Sequence, residues 1–308
     1  MIRAIAGVRH SPPPTRDGVG PSSTVLSDGS WTTIAECLAE KFPAIGIEQW
    51  HKRMEQGEVV DEFGATVTLA TPHRANLRVF YYRTIEKEPR IPFDEAIIFQ
   101  DDHLVVADKP HFLPVIPSGR FLQETLLVRL KKRTEIDTLV PIHRIDSGTA
   151  GVVVFSVGES ERDAYQSLFR TREVEKVYES IGHVNPSLTF PRTYSSRLVA
   201  DDHFMRMREV PGDPNSTTHI EMIESRADVS HYRLRPISGR KHQLRVHSAA
   251  LGIAIVNDPM YPDMLAEPKG EALEDFSRPL QLLAREISFR DPITGDARKF
   301  ESRRRLDW

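Results

Sequence analysis

The stretch HRIDSGTAGVVVF, residues 143–155, sets one carboxylate, Asp146, two positions after Arg144 and just ahead of a Gly-Thr-Ala-Gly turn that leads into an apolar run. An Asp in that place has two readings. It can be a turn former or cap that accepts backbone N–H bonds. It can also be a working acid: a basic partner brought close would keep it ionised, and an ionised carboxylate can act as a nucleophile or stabilise a developing sugar cation.

A second feature is a stretch free of acids. Residues 229–257 contain no Asp or Glu, yet hold Arg233, Arg235, Arg240, Lys241 and Arg245, with His231, His242 and His247 among them. Such a segment is either a solvated basic face or an anion-binding surface. Other chemistries find no support. SGRKH and SGTAG fit neither the phosphate-loop nor the dinucleotide pattern, so no nucleotide cofactor is expected. His242 and His247 lie five apart among arginines, off the spacing that aligns metal ligands on a helix, so no metal is expected. The chain has no Gly-x-Ser-x-Gly elbow, and a glycosidase would need two cooperating acids where only one has an evident setting.

The elements that must position these residues can be read from periodicity. Residues 1–30 are rich in Pro, Gly and Ser and predict an extended arm. Residues 31–85 predict a small unit of two helices, through Ile34, Leu38 and Phe42 and then Ile47, Trp50 and Met54, followed by a hairpin in EVVDEFGATVTL. EKEPRIPFDE, with Pro89 and Pro92, predicts a linker. From residue 90 to 308, strands are expected in AIIFQ, HLVVADK, VVVFSV, VEKVYESIGHV, THIEMIES and SHYRLRPI, and helices in ETLLVRLKKR and ERDAYQSLF. Strands outnumber helices without alternating with them, which favours an α+β fold with a mixed sheet.

Length and composition fit this division. A chain of 308 residues predicts two units. With 39% hydrophobic and 28% charged residues it is ordinary for a soluble globular protein, and no run approaches the roughly 18 apolar residues of a membrane helix. The N-terminal stretch lacks an apolar signal core, so a cytoplasmic location is expected. One cysteine, Cys37, excludes an internal disulfide framework. A net charge of -3 argues against coating nucleic acid through bulk charge, so any anion binding must be local.

Five segments in order, DKPHFLPV (108–115), HRIDSGTAG (143–151), KVYES (176–180), ISGRKHQLRVH (237–247) and GIAIVNDPMY (252–261), resemble the RluA-type pseudouridine synthases. The likeness spans about residues 95 to 295. It implies the pseudouridine synthase fold, with a mostly antiparallel mixed sheet, and isomerisation of uridine in ribosomal or transfer RNA by a monomer without cofactor. By the same resemblance Asp146 is the catalytic acid, Tyr178 packs on the target base and helps deprotonate it, Arg245 pairs with the acid, and Arg144 helps hold the nucleotide out of the RNA stack. RNA contacts are further expected from His143, Arg240, Lys241, His242 and Gln243. The first unit resembles an RNA-binding module carried by many members, with His51, Lys52 and Arg53 as its basic residues. Ser147, Ala150 and Leu283 depart from the family pattern. The rival readings are a non-catalytic RNA-binding protein and an N-glycosidase that frees uracil.

Overall fold

The computed structural model describes residues 13–85, 88–265 and 275–307. The chain divides into two compact units, Met1–Glu88 and Pro89–Trp308, and the division falls inside the proline-containing linker stretch.

The first unit holds β1 (Ser22–Val25), α1 (Ile34–Lys41), α2 (Ile47–Glu55), β2 (Val59–Asp61) and β3 (Arg78–Tyr81). Its sheet runs β1-β3-β2, antiparallel throughout. Helix α1 starts at a capping box: Thr33 accepts from the Glu36 amide while Glu36 accepts from the Thr33 amide. Trp50, Leu38, Ile34 and Val79 form the core.

Two expectations need correction here. Residues 1–12 of the expected arm lie outside the described residues, but Ser22–Val25 belong to the sheet and Leu26 is buried. A four-residue edge strand needs one partner only and leaves little periodic signal among Pro, Gly and Ser. The expected hairpin is also shorter. Asp61 Oδ1 accepts from the Phe63 and Ala65 amides at 2.9 and 2.8 Å, a tight turn after which only Thr66 returns to bridge Val60; β3 supplies the long pairing instead.

The second unit holds β4 (Ala96–Gln100), β5 (Leu104–Lys109), α3 (Leu126–Thr134), β6 (Val140–Pro141), β7 (Ala150–Ser156), α4 (Arg162–Thr171), β8 (Glu175–His183), β9 (Arg192–Ala200), β10 (Met207–Val210), β11 (Ser216–Arg226), β12 (Val229–Pro236), α5 (Gln243–Ala250), β13 (Leu282–Arg290) and β14 (Ala297–Glu301). The main sheet runs β10-β9-β11-β12-β8-β13-β7-β5-β4, with β14 on β13 and β6 on β7. Among the described residues its one parallel pair is β13 with β7.

Strand β7 is apolar without alternation because both its faces are covered. Val152 and Val154 pack with Tyr165 and Leu168 of α4, and Val153 and Phe155 pack with Leu126 and Leu130 of α3. This rigid centre carries the Asp146 turn at the N-terminal end of β7.

Candidate active site

Asp146 sits between β6 and β7. Its carbonyl accepts from the Thr149 amide at 3.1 Å and closes the turn, so the main chain does the turn-forming. The side chain is left for other work. Two side chains at the end of β5 and just after it fix this turn. Lys109, fully buried, donates to the carbonyls of Pro110, Leu113 and Ser147 at 2.9, 2.7 and 3.0 Å, and His111 donates through Nδ1 to the Gly148 carbonyl at 2.7 Å. Burial pushes the Lys109 ammonium well down from its ordinary value, and the negative charge of Asp146 works against that.

The carboxylate meets Arg245 of α5. Arg245 Nη1 donates to Asp146 Oδ2 at 3.1 Å, while Nε and Nη2 fork onto the two oxygens of Asp258 at 2.8 and 2.6 Å. Asp258 Oδ1 also accepts from the Met260 and Tyr261 amides. Side-chain exposure grades from 1% at Asp258 through 5% at Arg245 to 32% at Asp146. Burial alone would lower the Arg245 guanidinium, but its hydrogen bonds and charge contacts with Asp258, then Asp146, outweigh this and raise it. Arg245 therefore stays charged, is aimed by Asp258, and reaches the exposed acid with its remaining nitrogen.

His242 completes the cluster. Its Nε2 lies 3.7 Å from Asp146 Oδ2 and its Nδ1 3.0 Å from the Tyr261 hydroxyl. Burial lowers its pKa to about 4, so near pH 7 it is neutral and adds no full charge. Its backbone is left-handed, φ 54°, immediately before α5.

A cavity of about 850 Å³ opens over Asp146. Tyr178, Met205, Met260 and Leu282 give it apolar walls, and Arg144 and Lys241 line it as exposed cations. Burial raises the Tyr178 phenol, and the charge of Asp146 raises it further. Near neutral pH Tyr178 is thus an O–H donor and a packing face; the expected help with deprotonation would need a phenolate that this setting disfavours.

The other expected RNA contacts divide. Arg240 is exposed and lines the cavity. Gln243 is not available: its amide donates to Thr217 O and Thr218 Oγ1, and its oxygen accepts from Ser238 Oγ and the Arg240 amide. All its bonding capacity goes to tying the loop before α5 to strand β11. His143 lines the cavity but stacks on Phe169 at 5.1 Å, accepts from the Val154 amide, and is pushed by burial to about 3, so it offers phosphate no charge. The acid-free segment is likewise not one basic face. Arg233 and Arg235 pair with Glu221 of the neighbouring strand, and His247 is ringed by Ser196, Ser216 and Thr218 hydroxyls. In the first unit Arg53 is buried against Trp50, leaving His51 and Lys52 of the three basic residues outside the core.

Sequence reasoning quoted Asp258 without assigning it a part. The available signal was its position, the first acid after the acid-free stretch. Two departures from the family pattern prove to be neighbours: Ala150 and Leu283 are register partners in the parallel pair, both fully buried.

On this mixed sheet, then, a carboxylate held by a buried arginine lines a cavity with apolar walls. A family model described as RNA pseudouridylate synthase matches residues 103–250. The dual-specificity RNA pseudouridine synthase RluA of Escherichia coli (strain K12) is 31% identical over 213 residues, covering 67% of this chain and 92% of that protein. An uncharacterized RNA pseudouridine synthase of Synechocystis, slr1592, is 26% identical over 219 residues, covering 70% and 74%. The solved structure of human RNA pseudouridylate synthase domain containing 1 superposes with a TM-score of 0.55 at 22% identity, covering 70% of this chain and 86% of that one, which establishes the pseudouridine synthase fold. The chain belongs to the RluA family of RNA pseudouridine synthases, intramolecular isomerases. Among the described residues no helix is long and apolar enough to cross a membrane.

Proposed function

We propose that this isomerase converts uridine to pseudouridine in ribosomal or transfer RNA, working in the cytoplasm as a monomer and using Asp146 as its one catalytic acid. The observation that carries the reading is the shared guanidinium of Arg245, 3.1 Å from Asp146 and forked onto Asp258.

The glycosidic carbon of a stacked uridine is out of reach, so the nucleotide must be extruded into the cavity. Arg144, exposed beside Asp146, would take its place against the neighbouring bases, and Tyr178 with Leu282 would pack on the uracil. Asp146 would then attack the ribose C1′ or steady its positive charge while the C1′–N1 bond breaks. The uracil turns, C5 bonds to C1′ as the carboxylate lets go, C5 gives up its proton and N1 takes one up, so that product and substrate are isomers. Arg245 gives the carboxylate one charged hydrogen bond while Asp258 takes most of its bonding, so the carboxylate is steadied without being fully neutralised. We read the first unit as an accessory module that adds little phosphate binding, since His51 and Lys52 stand among Glu48, Glu55 and Glu58.

The test of substrate class uses RNA tritiated at uracil C5, as unmodified transfer RNA and unmodified ribosomal RNA in separate reactions. Tritium release from one or both, with uracil kept in the polymer, is the expected result. Free uracil would instead make the protein an N-glycosidase, and no release from either would overturn the assignment to these RNAs.

A further inference from the structure

The turn joining β9 to β10, residues 201–206, carries the most exposed of the large hydrophobic side chains described: Phe204 is 80% exposed. The turn is closed, with the Asp201 amide donating to Arg206 O at 3.2 Å and the Arg206 amide to His203 O at 2.9 Å. Next to Phe204 the His203 ring lies 5.3 Å away and within 25° of parallel. Two flat rings therefore stand on a fixed turn.

That turn is tied to the rim of the cavity. Met205, the following residue, lines it. Lys241, which also lines it, donates to the Phe204 carbonyl at 3.4 Å. The Met207 amide donates to the Tyr261 hydroxyl at 2.7 Å, and that hydroxyl bonds His242, the neighbour of Asp146. Asp201 has Arg206 3.9 Å away; the exposed cation tied to the turn is Lys241, and its chain neighbour Arg240 lines the same cavity.

An exposed phenylalanine forgoes the stabilisation that burial of its ring would bring. Resting on the reading of the cavity as an RNA site, the geometry points to Phe204 as a stacking platform for a base adjoining the extruded uridine. A nucleotide drawn into the cavity brings its chain neighbours across the rim, unstacked on one side. A ring there replaces the lost base contact, and Lys241 and Arg240 meet the phosphates on either side. Aromatic stacking accepts any base, so Phe204 would add affinity for unpaired RNA without reading its sequence.

The probe is a fluorescently labelled twelve-residue oligouridylate, compared with the same backbone lacking bases, titrated into the full chain. Phe204→Ala is expected to weaken oligouridylate binding about 5- to 150-fold, corresponding to roughly 1–3 kcal/mol per stacked base, and to leave binding of the abasic backbone unchanged. Phe204→Trp restores affinity, and the dependence of log Kd on log salt keeps its slope, because no phosphate contact is lost. Equal affinity of wild type and Phe204→Ala, or an equal loss on both probes, overturns the proposal, the former fitting a ring that serves a protein partner. Binding and tritium release are read separately, so a Phe204 effect without release from transfer or ribosomal RNA would sink the assignment to those RNAs and leave the platform standing.

Discussion

Arg245 is divided between two carboxylates, and that division sets what each can do. Asp258 takes the fork and two backbone amides; Asp146 takes one nitrogen and keeps a third of its surface open. Removing the hidden acid should therefore hurt twice. Asp258→Asn leaves a buried guanidinium short of charge, at a cost of about 3–5 kcal/mol by the measure of broken buried pairs, and frees Arg245 to turn fully onto Asp146. Urea unfolding should show the lost stability, and kcat should fall roughly 10- to 100-fold, about 1.4–3 kcal/mol, with KM little changed. Wild-type stability and kcat in this variant would show that Asp258 does not position Arg245. The buried histidines give a pH dependence. His143, His242 and His247 are held neutral, with burial lowering them from about 6.5 to about 3, 4 and 4. The unfolded chain binds their protons more readily, so their stability is whole above pH 6.5 and is lost as the pH falls toward 4. Between pH 6.5 and 5 each should cost about 2 kcal/mol. Glu179, lowered to about 2 and paired with Arg285 and His231, is lost in the same direction at lower pH; His103, raised by its bond to Glu161, acts in the opposite sense from the surface. Urea midpoints at pH 7, 6 and 5 should fall steadily, and His247→Gln should flatten part of that fall. Midpoints independent of pH would mean these imidazoles are not held neutral.

The junction of β7 and β13 is the element on which the Asp146 turn depends. Gly151 has φ +112°, and a Cβ there would stand 2.2 Å from the Ala284 carbonyl oxygen, so no side chain fits without parting the parallel pair. Gly151→Ala should destabilise on the order of 3 kcal/mol and lower activity beyond the loss of folded protein, because the turn five residues earlier moves with the strand. Thermal unfolding at an unchanged midpoint would contradict this. The elements themselves were unevenly legible. Strands β5, β7, β8, β11 and β12 announce themselves by long apolar or alternating runs, and α3 and α4 by helical spacing. Strand β1 did not, being four residues at an edge, and α5 did not, because it is buried nearly all round and its polar members bond inward instead of marking a solvent face.

Across the second unit, residues brought together from far along the chain were the hardest to foresee. Asp146 and Arg245 were legible as partners only through the family's motifs, since 99 positions separate them. Asp258 was legible only as the end of an acid-free stretch. The basic segment misled at this scale: the cations of one acid-free stretch are dealt by strand alternation and a buried helix to Glu221, to Asp258 and to the cavity, and only the last share is open to an anionic ligand. The proposed function comes down to one carboxylate performing the isomerisation while the cavity and its cations bind. The most direct test compares wild type with Asp146→Asn, on RNA tritiated at uracil C5, measuring tritium release and RNA affinity in parallel. The account predicts release by wild type, none by Asp146→Asn, and RNA affinity in the two within about threefold, well under 1.4 kcal/mol. Release by a clean Asp146→Asn preparation at the wild-type rate would contradict it and return Asp146 to the part of a turn residue.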